Sequence, residues 1–237
     1  MASQSPALRH RARILAERTA GAAAPQGVTT GSAYELMLYK LSDDRRQLKS
    51  IQSVQRKIEV KATMLATYAQ WIDGVLACGK GAQDDVVATL LVWHIDTGEY
   101  DRALVIAAYC MEHKFTLPDG YSRDIPTMML DEFSAAYLQG KLGDDSQHAV
   151  AVLGTVEAMT AASDAPDQAR AKLHKAIGLA MIAVLDQADD TDIAPALVAQ
   201  AETAMAQLKR ARALSESCGV KKDMERLERR LKRAVGS

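Results

Sequence analysis

Three carboxylates, Asp84, Asp85 and Asp96, lie in the stretch GKGAQDDVVATLLVWHIDTG (79–98), and Asp73, Glu99 and Asp101 follow or precede them closely. Carboxylates in this number could hold Mg²⁺ and support phosphodiester cleavage. Most of them also have a structural explanation. Asp84 and Asp85 stand before an apolar run and can accept the free N–H groups of a helix's first turn. Glu99 and Asp101 open the next helix. Asp96 falls near a helix C-terminus, where a carboxylate opposes the dipole, so it is the odd member. Asp84, Asp85 and Asp96 are therefore held as the residues a nuclease would use, and no side chain is assigned a catalytic or metal-binding role. No cofactor is expected, with Mg²⁺ entering only if the chain itself cuts DNA.

The other motifs are weaker. GKG at 79–81 lacks the GxxxxGK-Ser/Thr spacing of a phosphate loop, since Gly81 and Ala82 follow Lys80, and no strand precedes it. His94 sits inside the apolar run and reads as a buried histidine with one satisfied nitrogen. The remaining histidines form no i, i+4 pair with one another or with cysteine. The three cysteines, Cys78, Cys110 and Cys218, are scattered, which excludes both a CxxC zinc site and a disulfide framework. No nucleophile elbow frames a serine.

The elements that must position these residues are helical. Ala, Leu, Met, Gln, Arg and Lys dominate, aromatics are 5%, and no alternating strand pattern occurs. Val86–Ile95 is an apolar run between Asp84 and Gly98, a core helix with start and stop signals and little polar face. GEYDRALVIAAYCMEH (98–113) should pack on it as a hairpin. Trp93, Gly98, Tyr100 and Ala103 match the packing positions of one tetratricopeptide-like unit. Helices are also expected over 5–20, 34–51, 53–77, 128–138, 147–162, 163–187, 196–217 and 221–235. Asp43 and Asp44 are read as capping a new turn, and Ser163–Asp164 as an N-cap before an early-turn proline at 166. The fold class is all-α, helical hairpins with a basic N-terminal arm. No apolar run reaches the ~20 residues needed to span a bilayer, so no membrane partner is expected.

The net charge of −1 conceals segregation. Residues 1–66 are net +6, residues 67–205 net −13, and residues 206–237 net +6. Basic ends around an acidic middle imply that the ends meet something anionic, or the middle of a neighbouring copy. Four segments follow: a basic arm and Gly/Ala/Thr/Pro linker (1–33), a basic helical hairpin as DNA-binding candidate (34–78), an acidic helical core (79–205), and basic C-terminal helices for assembly or docking (206–237). Arg9, Arg11, Arg13 and Arg18 on the arm, with Arg45, Arg46, Lys49, Arg56, Lys57 and Lys61, are the candidates for phosphate contact. Few aromatics interleave them, which favours duplex over single-stranded DNA.

WIDGVLACGKGAQDDVVATLLVWHIDTG (71–98) is similar to the central signature of the small terminase subunit of P2-type tailed bacteriophages, also labelled the terminase endonuclease subunit. YELMLYKL (34–41), PDQARAKLHK (166–175) and GVKKDMERLERRLK (219–232) resemble further blocks of that family in the same order. The departures are the arm before Tyr34, a longer stretch at 189–204, and an end at Ser237 without the long basic tail of some relatives. The resemblance implies packaging of concatemeric phage DNA. It also implies a cyclic homo-oligomer, duplex DNA bound at the packaging site, and delivery to a large terminase subunit bearing the ATPase and nuclease. The expected place of action is the host cytoplasm, not the mature virion. The alternatives are a Mg²⁺-dependent endonuclease acting through the three aspartates, and a helical scaffold that binds protein and no nucleic acid.

Overall fold

Helical periodicity becomes ten α-helices and no strand among the residues described, which are 6–22, 30–189 and 192–235 of a computed structural model. In order these are α1 (Pro6–Ala22), α2 (Ser32–Ser50), α3 (Val54–Cys78), α4 (Asp85–Asp96), α5 (Tyr100–Glu112), α6 (Ile125–Leu138), α7 (Ser146–Thr160), α8 (Asp167–Ala188), α9 (Val198–Leu214) and α10 (Lys221–Val235). The all-α expectation holds. The chain forms two compact units, Met1–Ile125 and Pro126–Ser237. Among the described residues no helix is long and apolar enough to cross a membrane. Part of the expected linker, 23–29, and Asp190 and Thr191 lie outside the described residues.

In the first unit, α4 is the core. Val86, Val87, Ala88, Leu90 and Leu91 have no exposed surface, and α3 and α5 pack against the helix. Gly98, at φ 80°, turns the chain from α4 into α5, whose Tyr100, Ala103, Ile106, Ala107 and Cys110 are buried. The expected break near residues 50–53 is present. Ser53 caps α3 by accepting from the backbone N–H of Arg56 at 3.2 Å. Asp43 and Asp44 do not start a new turn, because α2 runs through them without interruption. Asp44 instead accepts from Lys40 and from the buried Tyr68 hydroxyl, each at 2.6 Å, and Asp43 pairs with Arg46.

The N-terminal arm is a helix seated on α3. Ala16 and Ala20 are buried against it, and Gly74 of α3 supplies the clearance. A Cβ at position 74 would lie 2.5 Å from both the Ala16 Cβ and the Arg13 carbonyl oxygen. Small residues on both helices thus let the backbones meet, a signal with almost no hydrophobic signature in the sequence.

In the second unit, α8 packs against both α7 and α9, and α9 packs against α10. Pro166 occupies the N-cap position of α8 and not its first turn. No side chain caps that end, and the Ser163 carbonyl is instead taken by Arg170 from within α8. At the other end of α8, Arg230 of α10 is 3% exposed. It pairs with Asp186 at 2.5 Å and donates to the carbonyls of Asp189 and Asp192 at 2.6 and 3.3 Å. One arginine thus holds both Asp189 and Asp192 to α10.

Candidate nucleic-acid interface

The GKGAQDD loop, whose residue types made it the first candidate for catalysis, is a connector whose polar groups are already engaged. Gly79 closes α3 with φ 64°. The backbone N–H of Gly81 donates to the Tyr109 hydroxyl at 2.9 Å. A Cβ at 81 would lie 2.2 Å from the His113 ring, so no larger residue fits there. Gln83 and Thr116 form a reciprocal pair, with the Gln83 amide donating to the Thr116 carbonyl and accepting from its N–H, each at 3.0 Å.

Asp84 is fully buried. One carboxylate oxygen accepts from the backbone N–H groups of Val86 and Val87 at 2.9 and 3.0 Å, and the other accepts from the Trp71 indole at 3.0 Å. Burial pushes its pKa up to about 6, against the three N–H donors, which favour the ionised form. Asp85 accepts from Gln83 at 2.9 Å, and its backbone N–H donates to the Tyr34 hydroxyl at 3.1 Å. Tyr34 stacks on Trp71 with centroids 6.2 Å apart. The loop, α2 and α3 are thereby fastened together around the start of α4.

Asp96 belongs to a different place. α4 has 12 residues, with Asp85 first and Asp96 last. At 1.5 Å rise per residue the two ends are roughly 16 Å apart along the axis. Paired catalytic metals sit about 4 Å apart, so the three aspartates are not one site. Asp96 forms an ion pair with Lys61, one of the basic candidates. Among the described residues no group of three or more His, Cys, Asp or Glu side chains is arranged to hold a metal ion. His94 is buried with Nδ1 2.9 Å from Glu99. Burial lowers its pKa, and the Glu99 charge opposes that shift.

The basic candidates fall into two sets. On α1, Arg9, Arg11, Arg13 and Arg18 are all exposed. Helical spacing puts Arg11 and Arg18 opposite the Ala16–Ala20 seam, directed away from α3. Arg13 is partnered only loosely, by Glu17 at 3.4 Å. On α2 and α3, Arg46, Lys49 and Arg56 are exposed, and Arg45, Lys57 and Lys61 are half-buried. Arg56 pairs with Glu59 at 2.9 Å, and Arg45 hydrogen-bonds the Tyr121 hydroxyl. Arg45, Arg46 and Lys49 converge on one cavity beside the start of α4. That convergence depends on three separate elements and had no signal in the sequence beyond the three charges on one helix.

A family model described as "Phage small terminase subunit" matches residues 38–168. The chain is 40% identical to the "Terminase, endonuclease subunit" of Escherichia phage P2 over 229 residues, covering 96% of this chain and 86% of that protein. It is 23% identical to the "Probable terminase, endonuclease subunit" of Haemophilus phage HP1 (strain HP1c1) over 105 residues, 44% of this chain and 37% of that one. No solved structure matches.

Proposed function

The chain belongs to the phage small terminase family, and from that membership we propose that it binds duplex phage DNA at the packaging site and delivers it to the large terminase subunit for cleavage and genome packaging. It does so in the host cytoplasm as a cyclic homo-oligomer and does not remain in the mature virion. The observation that carries the DNA-binding part is α1, which presents four exposed arginines on a helix seated by Ala16, Ala20 and Gly74. A cation on a docked helix loses less freedom on meeting phosphate than one on a loose tail. The basic set on α2 and α3, within 34–78, extends the contact surface. Residues 206–237 serve assembly or docking of the large subunit.

A salt titration of duplex binding, followed by fluorescence anisotropy, tests this. Replacing Arg9, Arg11, Arg13 and Arg18 by Ala together should weaken binding and flatten the plot of log K against log salt, by about 0.9 for each phosphate that is no longer neutralised. An unchanged slope rejects α1 as a contact, and no duplex binding at low salt leaves the protein-scaffold alternative.

A second reading, that this chain cuts DNA itself, is favoured by the name of the phage P2 relative. Asp84 has a full set of structural hydrogen bonds, so substituting it unsettles α4 whatever its role. Asp85→Asn and Asp96→Asn are the cleaner probes. Mg²⁺-dependent cleavage by the purified chain, abolished in either folded variant, would establish a catalytic carboxylate.

A further inference from the structure

The cavity beside the start of α4 has a volume of about 550 Å³, within the range of small-ligand pockets. One wall is α2, with Arg45, Arg46 and Lys49 beside the apolar Leu38 and Leu41. The facing side is α4, with Asp85 and Thr89, and the loop carrying Pro118 and Asp119 closes it. Thr89 has no exposed surface, and its hydroxyl has no hydrogen-bond partner. Threonine hydroxyls inside helices usually fall back on the preceding turn's carbonyl, as Thr63, Thr155 and Thr203 do in this protein. Thr89 does not, and it lines the cavity. Lys49 is exposed and has no ion pair among the described residues.

The chemistry of the walls narrows the occupant. A bare anion would meet the cations but also Asp85 and Asp119. A metal ion would meet three cations. A purely apolar ligand would leave the charges and the buried hydroxyl unanswered. A ligand with an anionic end, a flat apolar body and N–H donors at the far end answers all of them. We propose that this cavity binds one nucleotide unit, with its phosphate at Arg46 and Lys49, its base between Leu38, Leu41 and Pro118, and the base edge toward Asp85 and Thr89. Asp85 is an acceptor, and its carboxylate has capacity beyond the Gln83 contact. Thymine offers Asp85 one ring N–H flanked by two carbonyl oxygens that a carboxylate repels, whereas an exocyclic amine offers two donors, so the site prefers bases with an exocyclic amine. The source of the nucleotide rests on the DNA-binding reading: a base turned out of the duplex, or an unpaired strand end, lying where the α2 cations already meet the backbone.

The test uses the full-length protein and two probes. In equilibrium titrations with dAMP, dCMP, dGMP and dTMP, the three amine-bearing nucleotides should bind about tenfold more tightly than dTMP. Thr89→Val should weaken them about tenfold, and Thr89→Ser should restore them. Inorganic phosphate binding as well as the nucleotides, or equal binding to wild type and Thr89→Val, overturns the site. So does the absence of saturable nucleotide binding into the millimolar range. The second probe is a duplex carrying 2-aminopurine, whose fluorescence rises on unstacking. At saturating protein the rise should occur with wild type and disappear with Thr89→Val. Mononucleotide binding without that rise supports the site and makes a free nucleotide its ligand. Mononucleotide binding by a protein that binds no duplex keeps the site and sinks the DNA reading. Duplex binding with neither signal does the reverse.

Discussion

The two basic ends of the chain carry the same net charge, +6, and the fold uses them differently. At the N-terminal end the ion pairs of the candidate arginines join neighbours on one helix: Arg13 with Glu17, Arg46 with Asp43, Arg56 with Glu59. Such exposed pairs contribute little and are readily exchanged for a phosphate. At the C-terminal end, α10 reaches across to other elements. Arg226 and Arg230 share Asp186, and Arg233 pairs with Asp192. Lys232, with Glu228 at 2.9 Å, makes the local kind of pair. Equal charge therefore does not mean equal availability. What differs is that the N-terminal pairs lie within one helix, while the C-terminal pairs join two elements, one of them through the buried Arg230.

The sharpest way to break this comparison is Arg230→Ala. The substitution leaves Asp186 and the carbonyls of Asp189 and Asp192 without their buried donor. Asp186 is partly exposed and keeps Arg226, so the cost is that of the lost charge-assisted hydrogen bonds, about 1.5–3 kcal/mol, and the denaturant midpoint of the second unit should fall by that equivalent. The salt slope of duplex binding should not move. A stability loss of under about 1 kcal/mol would place Arg230 with the surface cations, and a flattened slope would make α10 a DNA contact.

Gly74→Val comes next and probes the other end without touching a charge. The new side chain enters the space of Ala16 and the Arg13 carbonyl, so α1 must lift from α3. Overpacking of this kind costs about 1–3 kcal/mol. Duplex affinity should fall several-fold while all four arginines remain, because their helix is no longer held. Full affinity in the variant would mean that α1 works as a loose cationic tether and that its seat on α3 has another purpose.

These two sites also mark where the sequence stops being informative. Local signals read well. The apolar run bounded by Asp84 and Gly98 became α4, and the helix expected over 221–235 is observed over that same range. His94 lies buried with one nitrogen bonded, as its place in an apolar run implied. In the sequence Arg230 is one arginine among several in the last helix, because its partner Asp186 lies 44 residues away and nothing links the two. The seat of α1 is made of alanine and glycine, which carry volume information but no hydrophobic period. Asp43 and Asp44 failed as caps for the complementary reason. A local capping signal was overridden by partners on the turns around them and, for Asp44, by Tyr68 on another helix. The cavity lined by Arg45, Lys49, Asp85 and Thr89 required three elements to be brought together, and no single stretch could announce it.

The smallest expected effect discriminates most finely between the two ends. Asp43→Asn with Glu59→Gln removes the carboxylates that now occupy Arg46 and Arg56, both strongly exposed pairs. Folding stability should change by no more than about 0.5 kcal/mol, as for most surface substitutions. Duplex binding at low salt should tighten by a few-fold, because two negative charges leave the surface proposed to meet phosphate and two guanidinium groups lose their competitor. The gain should fade as salt rises, since screening already weakens exposed pairs at a Debye length of about 8 Å. Asp192→Asn, beside Arg233, supplies the contrast at the other end. Removing that carboxylate should leave duplex binding unchanged, because residues 206–237 are assigned to assembly or docking and not to phosphate contact. If both ends responded alike, availability would follow charge alone, and whether a pair lies within one helix or joins two elements would have no bearing on the proposed DNA contact.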